Sequence, residues 1–161
     1  MQSQFTSLLQ LGIIVDDVDA AVARFEGDFG VGPWQVADFG PELVGEMLID
    51  GEPGELRLRG AFCRVFGFEI ELLQPVSDGP YRRWLDEHGP GMHHLAVTTR
   101  GSFDDLVAAH EHSTGRRPWI HVQAADPHPD HPLDFAYLDL VKELGIFLEI
   151  YNEPKSLGLP T

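Results

Sequence analysis

The chain has 161 residues, 43 % of them apolar, and a net charge of −15 at pH 7. That is enough apolar matter for one packed domain, and the charge balance disfavours nucleic acid and anionic membrane surfaces as partners. Its one cysteine, Cys63, excludes an internal disulfide and fits a reducing, cytoplasmic compartment. No basic leader precedes an apolar stretch near Met1, and no apolar run reaches the roughly 18 residues a membrane span needs, so neither feature is expected.

In chain order, QLGIIVDDVDAAVARFEGDFG (10–30) reads as a short apolar strand followed by an amphipathic helix. Val18, Ala21, Val22, Phe25 and Phe29 fall at helical spacing, and Gly30 suits the position just past the helix end. WQVADF, LVGEMLI and LRLRGAFCRVF are strand candidates, and FEIELLQP (68–75) is a closing strand. A connector over 76–91 carries a short helix with Tyr81, Trp84 and Leu85 on one face, Asp78 before it and Gly89 after it. HLAVTTRGSFDDLVAAHEHSTG (94–115) then repeats the opening pattern. Ser102 and Asp105 form a capping pair, and Phe103, Leu106 and Val107 form the buried stripe. WIHVQA, DFAYLDL and the closing strand IFLEIYNEP (146–154) complete the second half.

The order strand, helix, three strands thus occurs twice. The expected fold is α+β: a single domain over 1–161 in which two βαβββ modules, 6–75 and 92–154, form a curved sheet around a central cavity with helices outside.

Strand alternation decides which side chains meet. Leu11, Ile13 and Val15 take the helix side of the first strand, and Gln10 the other. Leu95, Val97 and His93 take the helix side in the second repeat, and His94 the other. In the closing strands Ile70, Leu72, Leu148 and Ile150 face the helices while Glu71 and Glu149 face away. Two carboxylates, an imidazole and an amide oxygen can together hold one divalent cation, and a carboxylate in a cavity calls for such a partner. The competing reading places both glutamates on solvated sheet faces and makes His94 a hydrogen-bonded core residue. No HxxxH or CxxC spacing decides between them.

At these residues the sequence resembles the vicinal oxygen chelate superfamily, which includes glyoxalase I and methylmalonyl-CoA epimerase. The resemblance spans nearly the whole chain and is strongest over IELLQPVSDGPYRRWLDEHGPGMHHLAV, with GVGPW (30–34) similar to bacterial relatives. It implies paired βαβββ modules around a metal, with ligands at Gln10, Glu71, His94 and Glu149. Glutamine at residue 10, where epimerases carry histidine, resembles the animal glyoxalase I set. It also counts against the ring-cleaving dioxygenases, whose iron needs two histidines. Three oxygen donors and one nitrogen suit Zn, Ni, Co or Mn.

The resemblance implies a metal-dependent isomerase or epimerase that moves a proton α to a carbonyl through a metal-stabilised enolate. Glu149 is the expected base and Glu71 the second acid, on a small hydroxy-carbonyl compound or acyl (thio)ester, in a homodimer. Glu46 is a further candidate base. A non-catalytic binding or sequestration protein and a metal-dependent lyase of the same fold are the alternatives.

Of the remaining polar residues, His121, His128 and His131 in the Pro-rich stretch HVQAADPHPDHP read as a plain loop or a metal-rich lid. Tyr137 and Asp139 alternate onto one strand face and are candidate pocket residues. Trp34 and Trp84 read as packing anchors and Arg82 and Arg83 as solvated. No phosphate-binding cluster of Lys and Arg stands out, which counts against a coenzyme A thioester.

Overall fold

A computed structural model describes residues 2–42, 46–123 and 134–151, which form ten strands and four helices. The fold is α+β, with parallel and antiparallel strand pairing. Strand β1 (Phe5–Ile14) leads into helix α1 (Val18–Phe29), followed by β2 (Gln35–Phe39), β3 (Glu46–Ile49), β4 (Glu52–Pro53), β5 (Leu58–Val65) and β6 (Phe68–Pro75). Helix α2 (Pro80–His88) connects to β7 (Gly91–Thr99), α3 (Phe103–Thr114), β8 (Ile120–Gln123), β9 (Phe135–Leu140), α4 (Val141–Leu144) and β10 (Ile146–Tyr151). The chain divides into two compact units, one built on 9–42 and 55–95, the other on 2–8, 46–54, 96–123 and 134–151.

In the first unit the strands run in the order β2-β5-β6-β1, with β1 and β6 parallel and β5 antiparallel to both its neighbours. Val18 of α1 seals onto Ala61, Ile70 and Leu72, with Ile13, Val15, Ala21, Val22 and Phe25 packed around them. This is the helix side expected from the alternation. The Asp17 side chain accepts from the Ala20 amide at the N-terminus of α1, and Gly30 ends the helix in a left-handed conformation with φ 64°. Phe29 departs from the expected stripe: it is 69 % exposed and only edges onto Phe25. Helix α2 starts at Gly79 with Pro80 in its first turn and no side-chain cap, so Asp78 does not take the starting role its position implied.

The second half repeats the spatial order, β7-β10-β9-β8 matching β1-β6-β5-β2. Ser102 caps α3 by accepting from the Asp105 amide, as the capping pair implied. Phe103 and His110 are buried while Leu106 and Val107 are half-buried. Strand β3, which the sequence places in the first half, pairs antiparallel with β8 of the second, and β4 continues that edge. The pairing is long-range, and nothing in the local pattern LVGEMLI specifies its partner. The described residues contain no helix long and apolar enough to cross a membrane.

The α1 cap gives a direct test of this local reading. Asp17→Ala is expected to cost about 0.5–2 kcal/mol of stability, measured by urea denaturation of the two proteins side by side.

Candidate active site

The first unit builds a buried polar cluster on the sheet face opposite α1. On β1 that face carries Gln10, Gly12 and Ile14, all buried. On β6 it carries Glu69 and Glu71, while Ile70 and Leu72 face the helix. Parallel pairing sets Gln10 beside Glu69 and Gly12 beside Glu71. His94 of β7 is fully buried and brings Nε2 to 3.0 Å from Glu71 Oε2. A Cβ added to Gly12 would stand 1.9 Å from His94 Cε1, so the imidazole occupies the space that any other residue at 12 would fill. Beside this pair, Gln10 Nε2 donates to Glu69 Oε1 at 2.6 Å.

His93 takes the opposite role to its neighbour, as expected. Its ring lies 5.2 Å from Tyr81 and stands edge-on to Trp84 at 5.1 Å, both on α2. Burial holds its pKa well below the ordinary histidine value, with the neighbouring His94 and His88 adding to the effect. A neutral His93 has one acceptor nitrogen, and its Nδ1 lies 3.0 Å from His94 Nδ1. Arg82 is not simply solvated: its guanidinium donates to the Pro75 carbonyl and ties α2 to the end of β6. Trp84 stacks on His88, and Trp34 donates to the Val31 carbonyl and packs on Phe25. Both tryptophans are packing anchors.

In the second unit Glu149 of β10 is buried and sits opposite Tyr137 of β9. Directly opposed residues share a sheet face, so Glu149 and Tyr137 lie together with Phe135, Asp139, Phe147 and Tyr151. Trp119 stacks on Phe147 at 4.4 Å, with the Tyr137 ring edge-on to both. Asp139 shares the Tyr137 face, but its carboxylate is engaged by Arg116 and by the Val141 amide. His121 stands opposite Ala136, on the other face, where its ring meets Phe103 of α3. Glu46 is exposed at the start of β3 and alternates onto the His121 face, away from Tyr137 and Glu149. That register does not favour it as a base. His128 and His131 lie outside the described residues.

Three of the four expected ligand residues, Gln10, Glu71 and His94, therefore share one buried cluster, and Glu149 belongs to the other unit. Among the described residues no three His, Cys, Asp or Glu side chains are grouped to hold a metal. The donor chemistry of the cluster nonetheless fits one. Adjacent donors of an octahedral site with bonds of about 2.1 Å stand about 3.0 Å apart, the His94–Glu71 separation. A cation on His94 Nε2 requires the ring proton on Nδ1, where His93 Nδ1 stands as acceptor.

Residues 9–133 match the family model described as Glyoxalase/Bleomycin resistance protein/Dioxygenase superfamily. The chain belongs to that superfamily. Its fold is similar to that of a hypothetical protein of Bacillus halodurans C-125, with a TM-score of 0.62 at 19 % identity, covering 92 % of this chain and 95 % of that one. It is also similar to methylmalonyl-CoA epimerase from Mycobacterium tuberculosis, with a TM-score of 0.60 at 20 % identity, covering 94 % and 90 %. A Streptomyces coelicolor methylmalonyl-CoA epimerase in complex with 2-nitronate-propionyl-CoA gives a TM-score of 0.60 at 20 % identity, covering 97 % and 99 %. No curated protein matches the chain by sequence.

The sequence reading gives no role to two members of the cluster. Glu69 was signalled by the same alternation that places Glu71, since both acids of EIE lie on one face. Gly12 carries no chemistry of its own, and its role is visible only once His94 crosses above it. Gly12→Ala is expected to push the imidazole off Glu71, costing about 1–3 kcal/mol in stability, as read by denaturant unfolding. Gly27→Ala, on α1 where an added Cβ meets nothing within 4 Å, is the control. It should be neutral or stabilising by up to about 1 kcal/mol.

Proposed function

We propose that the protein is a metal-dependent isomerase or epimerase acting on a small hydroxy-carbonyl compound or acyl (thio)ester. The observation that carries this reading is the pairing of buried His94 with half-buried Glu71 beside Gln10, a nitrogen and oxygen donor set on the sheet face away from the helix, in a chain of the glyoxalase superfamily. Gln10, Glu71 and His94 are the proposed ligands. By repeat correspondence Glu149 takes in β10 the place of Glu71 in β6, and it is the proposed fourth ligand. A bound divalent cation (Zn, Ni, Co or Mn) supplies Lewis-acid stabilisation of negative charge on a substrate carbonyl oxygen.

The chain's own part is to place and move the proton. In this reading the Glu149 carboxylate accepts the α-proton, and Glu71, starting the turnover as the protonated acid, returns one to give the isomer or epimer, so the two residues exchange protonation states. His94 holds its Nε2 toward the site while His93, packed under Tyr81 and Trp84, fixes the ring from behind. Water is kept from the cluster by the burial of Gln10, His93 and His94.

The test separates binding from chemistry. A panel of 2-hydroxy carbonyls, acyl thioesters and 1,3-dicarbonyls is followed by NMR in deuterated buffer with metal-loaded protein. Wild type is expected to exchange the α-proton of at least one member. Glu149→Gln keeps an oxygen donor, so metal occupancy should fall modestly while exchange drops on the order of 10²–10⁴-fold. His94→Ala should lose metal and exchange together. Metal-loaded wild type that binds panel members tightly yet exchanges no proton would make the protein a sequestering one.

A further inference from the structure

Beneath the Gln10 side chain lies a carboxylate with no part in the ligand set. Glu69 is 3 % exposed, stands in register with Gln10 on the neighbouring parallel strand, and takes the amide nitrogen at 2.6 Å. We infer that Glu69 is a positioning residue that holds the NH₂ end of the Gln10 amide and so leaves the oxygen end to serve as the metal ligand. The inference rests on the proposed function.

The two ends of an amide are nearly the same size, and half a turn about the last side-chain bond exchanges them. Only the oxygen can bind a divalent cation, and the NH₂ end has no lone pair to offer. A ligand glutamine therefore needs something that tells its ends apart. An ionised carboxylate only accepts hydrogen bonds, so it selects the NH₂ end, and a charged acceptor makes the bond stronger than a neutral one would. Strand geometry supplies the contact, because alternation aims Gln10 and Glu69 to the same side and the parallel register sets them shoulder to shoulder. Glu71, two residues on, takes the same face beside Gly12 and reaches His94. One strand thus carries a proposed ligand and the group that orients another.

The experiment uses the full chain with Co²⁺ as the probe, read by its visible absorption and by titration. Glu69→Gln keeps the shape but offers both kinds of amide end, so Gln10 is no longer held one way. Co²⁺ affinity is expected to fall roughly 10–100-fold, with a changed absorption band. Loss of the Glu69 charge alone would weaken binding equally whatever stands at residue 10. In a Gln10→Ala background the same substitution should therefore change affinity by less than about threefold, the sign of coupling between the two residues. An equal loss in both backgrounds, or an unchanged affinity and spectrum in Glu69→Gln, would overturn the inference while leaving the metal reading intact. Wild type that takes up no Co²⁺ would overturn both. Should Glu69→Gln not fold, metal-free wild type still decides. A side-chain NH₂ proton of Gln10, assigned by its loss in Gln10→Ala, should resonate well downfield of ordinary glutamine amides, and an ordinary position would overturn the inference.

Discussion

His94 reaches Glu71 by crossing the one place on β1 where no side chain stands. Gly12 is the register partner of Glu71, and the imidazole that contacts Glu71 lies where a Cβ at residue 12 would be. Interiors are packed to crystal-like density, so a ring of this size cannot share that volume with even a methyl group. The placing of the histidine follows from this crossing. The His94 donor nitrogen is aimed, the ring is fully buried, and its second nitrogen is left for His93.

Helix α2, the connector between the two repeats, holds the other side of that arrangement. Tyr81 and Trp84 enclose His93, whose burial keeps it neutral and so able to accept a hydrogen bond from a proton carried on His94 Nδ1. Arg82 fastens the same helix to the end of β6, the strand that supplies Glu69 and Glu71. The connector is therefore not a passive linker. It braces the histidine pair and the carboxylate strand of the first unit at once, which gives the pair a fixed geometry before any ligand arrives.

The faces of β1, β6 and β7 were legible in the sequence because side-chain direction in a strand is set by parity alone. Knowing that Ile13, Ile70 and Leu72 face a helix is enough to turn Gln10 and Glu71 the other way. The resemblance over the HH-containing segment points to one acid per closing strand as a proposed ligand, although the parity of Glu69 is identical to that of Glu71. The pairing of β3 with β8 was illegible for a different reason: partner choice between strands distant in sequence is made by tertiary packing, which a short apolar run does not encode. Phe29 shows the same limit in a helix, its spacing fitting the buried stripe although the side chain is exposed.

The His94–Glu71 pair is proposed as one edge of a divalent-metal site. Crystals of protein reconstituted with Zn or Mn, measured at the metal absorption edge, test it most directly. A metal held by this pair gives an anomalous peak within roughly 2.0–2.3 Å of both His94 Nε2 and a Glu71 carboxylate oxygen. A peak elsewhere, or none at full reconstitution with the two side chains still in direct contact, would contradict it.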